Sequence, residues 1–216
     1  MDPLGLAVVN KVPNHVNLRK IEEAGLDFDP SILDSKPSIY LKGYFQSWKY
    51  FQKNASELRD VLLDLRSTQD AWYARVGPFN AIQVRRGDYL LGHNFQIHGV
   101  LSKDYFLTGA RLLEKRSPNQ NFIIFSDDLI FAKMLSGEIN SASVDEVNDS
   151  PLQTLLRMSF ASNFLISNSS FGWWAAWVGS MNSRSTIVPS VWLKSTEKDL
   201  SDFYLEGWEV LESRFE

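Results

Sequence analysis

Residues 79–88 read Phe79-Asn80-Ala81-Ile82-Gln83-Val84-Arg85-Arg86-Gly87-Asp88, and the change of character after Val84 decides how the rest of the chain is read. A short run with apolar groups at both odd and even positions predicts a strand buried on both faces. Two arginines, a glycine and an aspartate directly behind it predict a polar turn at its carboxyl end. The pattern repeats downstream. Asn121-Phe-Ile-Ile-Phe125 runs into Ser126-Asp127-Asp128, Asn163-Phe-Leu-Ile166 runs into Ser167-Asn168-Ser169-Ser170, and Ser185-Thr-Ile-Val188 stops at Pro189. The intervening segments carry helical spacing. Ser102 caps a helix through Arg116 with Tyr105, Phe106, Leu112 and Leu113 inward, and a second helix covers Leu129 to Leu135. Ser150-Pro151 opens a third with Leu152, Leu155, Leu156 and Met158, and Phe171 to Val178 forms a tryptophan-rich fourth. Strands alternating with helices predict an α/β fold with a parallel sheet covered on both faces. Ligands of such sheets bind beyond the carboxyl ends of the strands, so the three polar clusters share one rim.

Upstream of this region, Ser56 is expected to cap a helix whose Leu58, Val61, Leu62 and Leu65 share a face. The first forty residues, with Pro3, Pro13, Pro30 and Pro37, read as irregular with at most short helices or strands. Composition narrows the function. Of 216 residues, 44% are hydrophobic and 22% charged, which excludes general disorder. The net charge of −4 removes the broad basic footprint of a nucleic-acid binder, and no nucleic-acid partner is expected. The absence of cysteine excludes disulfides, thiolate metal sites and a cysteine nucleophile. No apolar run approaches the roughly 18–20 residues that span a bilayer. Met1-Asp2-Pro3 lacks the start of a signal peptide, so a soluble cytoplasmic protein is expected, with peripheral membrane contact left open.

Arg85 and Arg86 offer two guanidinium forks beside Gly87, a turn suited to a phosphate. The ordinary alternative is a structural ion pair with Asp88 or Asp128, expected for one arginine rather than for both. Ser169 and Ser170 open the tryptophan-rich helix, whose free N–H groups and dipole favour an anion, although Ser and Asn are also common caps that bind nothing. Forks and helix terminus on one rim describe a diphosphate cradle. Asp127-Asp128 reads as a metal pair, a nucleoside contact or a helix cap, and the lack of a third nearby ligand makes metal the least favoured of these. Neither a P-loop nor a G-x-G-x-x-G turn is present. His15, His93 and His98 lack metal spacing. His98 stays a candidate because its loop borders the cleft, and Trp173, Trp174 and Trp177 read as core.

The stretches Gly43-Tyr-Phe-Gln-Ser-Trp-Lys-Tyr-Phe51, Val84-Arg-Arg-Gly-Asp-Tyr89, Phe125-Ser-Asp-Asp128 and Asn168-Ser-Ser-Phe-Gly-Trp-Trp-Ala-Ala-Trp177 resemble, in order and spacing, the glycosyltransferase family 11 alpha-1,2-fucosyltransferases. The resemblance covers residues from about Tyr40 onward. It implies a GT-B-like enzyme, with a Rossmann-like parallel sheet and helices on both faces in its donor-binding half. The implied reaction moves L-fucose from GDP-fucose to the 2-hydroxyl of a terminal galactose on a glycan acceptor, with inversion and with neither metal nor other cofactor. Arg86 and Asp88 would be catalytic, Arg86 holding the diphosphate and Asp88 fixing the arginine turn. Gln83, Arg85, Arg86, Asp127, Asp128, Asn168, Ser169 and Ser170 would bind the donor, and the general base stays unassigned. Two departures stand out. Gln83 replaces the family's usual histidine, and the family's Gly-Gly-Leu-Gly-Asn-Gln opening segment is absent. Residues 1–75 are therefore expected to be a remnant of the acceptor-side domain, and 76–216 a Rossmann-like GDP-fucose domain, with the N-terminal half incomplete. The rival expectation is a remnant that binds GDP or GDP-fucose without transfer, and a metal-dependent transferase using Asp127 and Asp128 is the third.

Overall fold

The computed structural model describes residues 19–23, 25, 27–34, 39–180, 185–194 and 200–216. His15 lies outside them. In chain order the elements are β1 (Arg19–Glu22), β2 (Ile39–Lys42), α1 (Ala55–Arg66), α2 (Asp70–Val76), β3 (Phe79–Val84), α3 (Gly92–Ile97), α4 (Lys103–Arg116), β4 (Asn121–Ser126), α5 (Leu129–Ser136), β5 (Ala142–Val144), α6 (Pro151–Met158), β6 (Asn163–Leu165), α7 (Ser170–Gly179), β7 (Ser185–Pro189) and β8 (Glu209–Leu211). Strands β3 to β8 form one six-stranded sheet in the order β5-β4-β3-β6-β7-β8, with every pair parallel, while β1 and β2 form a separate parallel pair. Counted within the large sheet, this is the order 3-2-1-4-5-6 of a Rossmann-like fold.

The sheet's alternation sorts the helices. Phe79 and Ala81 face a core shared with α6 and α7, against which α1 and α2 pack, whereas Ile82 and Val84 face a core with α4 and α5. The chain therefore changes sides between β5 and β6, and β3 and β6 lie side by side at the point where the winding reverses. A crevice opens at such a point because the connections from the two central strands diverge to opposite faces.

Three sequence expectations are corrected here. Helix α1 starts at Ala55 on a 3-10 turn over Gln52–Asn54, so Ser56 lies inside it and caps nothing. Its inward face carries Leu58, Leu62 and Leu63, while Val61 and Leu65 are exposed. That rotation lets Arg59 lie over the Trp177 ring and donate to the Trp177 carbonyl, and lets Arg66 lie over Phe160. In α6 the Ser150 cap and Pro151 form as expected, with Gln153 completing a capping box, but Leu152 is exposed, and the buried residues are Leu156, Arg157 and Met158. Strands β5 and β8 were not anticipated.

The segment Gly43–Phe51 docks on α7: the Phe51 ring stacks on Trp174 at 5.0 Å and meets Trp173 and Trp177 edge-on. Trp173 and Trp177 are buried, as expected of core residues. One carboxylate fastens this segment from the far end of the chain. Asp202 pairs with Lys49 and accepts from the Phe28 amide, and its carbonyl accepts from Ser47 Oγ. The Lys49 partner holds the Asp202 carboxyl below its ordinary range. No helix among the described residues is long and apolar enough to cross a membrane.

Candidate functional site

The crevice lies beyond the ends of β3, β4 and β6. A cavity of about 230 Å³ is lined by Gln83, Val84, Arg85, Phe125, Ser126, Asp127, Asp149, Pro151, Thr154 and Phe171. Alternation along β3 carries Gln83 and Arg85 to the α7 side and leaves Val84 and Arg86 on the α5 side. Gln83 is buried, and its Oε1 accepts from Ser167 Oγ at 2.6 Å. A side chain on Gly172 would come within 2.7 Å of that same oxygen, so the glycine is what lets α7 close on β3.

The two arginines do different work. Arg85, a third exposed, donates from Nη2 to Asp88 at 2.8 Å and from Nη1 to Asp127 at 3.0 Å, and it approaches the Tyr89 ring. Arg86, only 11% exposed, lies 4.0 Å over the Phe131 ring, with Asp128 at 3.5 Å and Glu216 at 3.1 Å. Both arginines are thus held in ion pairs, where only one was expected to be. Asp127 joins the two residues by also accepting from the Arg86 amide at 2.9 Å. It lies against Gly87, where a Cβ would meet its Oδ2 at 2.8 Å, which gives that glycine a steric reason. Asp128 caps α5 by accepting from the Phe131 amide at 3.0 Å, which matches the helix-cap reading of this residue. Among the described residues, no three His, Asp or Glu side chains gather as metal ligands.

Below the rim, Asn168 is buried and donates to the carbonyls of His98 and Trp192, which ties two loops to the end of β6, while its Oδ1 has no partner among the described residues. Ser169 is the buried N-cap of α7, without a side-chain cap bond. Ser170 opens instead onto a neighbouring hollow of about 220 Å³ with Tyr44, Gln46, Phe51 and Trp174. Gln83, Arg85 and Asp127 therefore meet in one cavity and Asp88 reaches it through Arg85. Arg86 and Asp128 buttress it from the other face of the sheet.

His98 stacks on Tyr89 at 4.3 Å, and burial lowers its pKa below the ordinary 6.5, against an opposing influence from Asp88. A folded-state pKa below the unfolded one makes the folded protein bind fewer protons, so this stability is complete above pH 6.5 and is lost as pH falls below it. His98→Gln is expected to flatten the decline of melting temperature over that range, and an unchanged slope would remove His98 from the account.

Sequence reasoning passed over Asp149 and Thr154. The available signal was Arg157, a charge on the apolar face of α6. It donates to Asp145 at 2.9 Å and to Asp149 at 2.6 Å, and so fixes the loop that forms one wall.

The profile of Glycosyl transferase family 11 matches residues 12–212. The chain is similar to an Alpha-1,2-colitosyltransferase of Escherichia coli, with 32% identity over 186 residues, 82% of this chain and 64% of that protein. It is also similar to the O-antigen biosynthesis glycosyltransferase WbnK of Escherichia coli, with 30% identity over 133 residues, 59% of this chain and 43% of that protein. The chain thus spans less than two thirds of the length of either relative. No solved structure matches it. With the profile covering nearly the whole chain and the polar turns of the sheet gathered on one rim, the chain belongs to glycosyl transferase family 11.

Proposed function

We propose that the protein transfers L-fucose from GDP-fucose to the 2-hydroxyl of a terminal galactose, with inversion and without a metal. The observation that carries this is the cavity at the winding reversal, where Arg85 stands beside the end of β3 and α7 starts beside the end of β6. A departing nucleoside diphosphate gains negative charge as the sugar leaves, and fixed cationic and N–H donors stabilise that charge without reorganising. Residues 76–216 would form the donor domain and residues 1–75 the acceptor side. The name of one relative supports a 1,2-linkage but gives a different sugar, so the test offers both GDP-fucose and GDP-colitose. Incubation with terminal beta-galactosides should yield a 1,2-linked product. Transfer of colitose alone would change the donor, and absence of both products would end the reading.

In this scheme Arg85 contacts the diphosphate, while Arg86 holds the turn through Asp128. Asp88 neutralises Arg85 in the absence of a competing anion. GDP binding and transfer are expected to survive excess EDTA, because arginine and backbone N–H groups meet the charge. Loss of both, restored by Mn²⁺ or Mg²⁺, would return Asp127 and Asp128 to a metal role.

A second reading is a chain that binds the donor without transfer. Gln83 favours it, since an amide where the resemblance has histidine can hold a ligand but cannot take up a proton at neutral pH. GDP-fucose binding with neither transfer nor release of free fucose would select it. Positioning of an acceptor can contribute roughly 7–11 kcal/mol to lowering a barrier, so a loosely held acceptor would depress transfer far more than donor binding.

A further inference from the structure

One wall of the cavity is held by a charge that the proposed transfer step does not use. Arg157 is 1% exposed and lies in α6 with its guanidinium near the Trp72 ring. A buried guanidinium needs a counter-charge, and Asp145, with its side chain 5% exposed, already supplies one. Asp149 is surplus to that balance. Its side chain is a third exposed and lines the cavity, and its contact with Arg157 uses Oδ2, which leaves Oδ1 with acceptor capacity. Arg157 also approaches Thr154 Oγ1 at 3.4 Å, so one cation fixes two polar groups of the same wall. Phe125, Pro151 and Phe171 supply apolar surface around them.

A cavity with apolar walls and a fixed carboxylate suits a planar heterocycle that presents hydrogen-bond donors at its edge. Of the common nucleobases at neutral pH, guanine alone places two N–H donors side by side, the ring N1–H and the exocyclic amine. Adenine, cytosine and uracil each set an acceptor next to their donor, which a carboxylate repels. We propose that Asp149, positioned by Arg157, selects a guanine base. The inference rests on the nucleotide-sugar reading of the cavity and adds the residue that reads the base.

Calorimetric titration of the full chain with GDP, IDP and ADP tests it. IDP keeps the ring N–H and lacks only the amine. The unmodified protein is expected to bind GDP at least about tenfold more tightly than IDP, the effect of one hydrogen bond to a charged acceptor, and to bind ADP weakest. Asp149→Asn should weaken GDP more than IDP and so bring the ratio between them close to one. Arg157→Lys, whose single ammonium cannot reproduce the two guanidinium arms that reach Asp145 and Asp149, should narrow the same ratio. A purely structural role would weaken all three nucleotides together and leave the ratio standing. Equal binding of GDP and IDP by the unmodified protein would overturn the inference while keeping the nucleotide site, and this comparison needs no variant to fold. A folded Asp149→Asn protein with its preference intact would overturn it as well. Failure to bind any nucleotide would overturn both the inference and the reading beneath it.

Discussion

Arg85→Ala is expected to lower transfer by about 10²–10³-fold, the range for removal of one fixed partner from the charge that develops in the transition state. The charge arithmetic favours a large effect. Among the described residues Arg85 is the only cation pairing with Asp88, and it shares Asp127 with the backbone of Arg86. Its loss removes the attraction for a diphosphate and leaves two carboxylates facing the anion, so GDP affinity should fall together with kcat. Arg85→Lys should recover part of the attraction and little of the geometry, because an ammonium cannot present two parallel donors. Arg86→Lys is the informative contrast. That side chain lies against Phe131 and bridges Asp128 to Glu216, so its substitution should lower the melting temperature more than the GDP affinity. If Arg86→Lys abolished GDP binding and Arg85→Ala left it intact, the roles given to the two residues would have to be exchanged.

The largest stability loss is expected at Arg157→Met, about 3–5 kcal/mol, the usual effect of removing one partner from a buried ion cluster. Methionine fills much of the volume, so the loss would come from the stranded carboxylates rather than from a void. Asp145 has almost no access to water and would remain buried without its cation. Urea unfolding of Arg157→Met and of Arg157→Met/Asp145→Leu separates the two causes. The double variant should regain a substantial part of the loss, because an apolar pair carries no desolvation penalty. A double variant less stable than the single one would point to packing against Trp72 instead.

The central sheet was legible because β3, β4, β6 and β7 lie between two helical layers and read as continuous apolar runs, which few other local structures require. β5 and β8 were not, for a physical reason. Each is an edge strand of three residues with one neighbour and a partly exposed pattern, so Ala142-Ser-Val144 and Glu209-Val-Leu211 carry no two-sided burial signal. Helix α1 was found but rotated, because the preference for aliphatic side chains on a buried face overlooks arginines that lie flat on aromatic rings, as Arg59 and Arg66 do. At the site, the polar turns announced which strand ends matter. The division of labour between Arg85 and Arg86 depends on the pleat and on which helix covers each face. The wall built by Asp149 depends on a contact with Arg157 across eight residues that no local spacing reveals.

The Asp202 anchor sets a timetable for synthesis. Phe28 binds a carboxylate 174 residues later, and the Phe51 ring finds its seat on a helix that begins at Ser170. At roughly 5–20 residues per second, the Phe28 amide would wait about 10–35 s for its partner to be made. During that interval Trp48 and Phe51 lack their final neighbours, so ribosome-bound chains stalled before residue 202 should be cut by protease near residues 43–51 and bound by holdase chaperones, and released full-length chains should resist both.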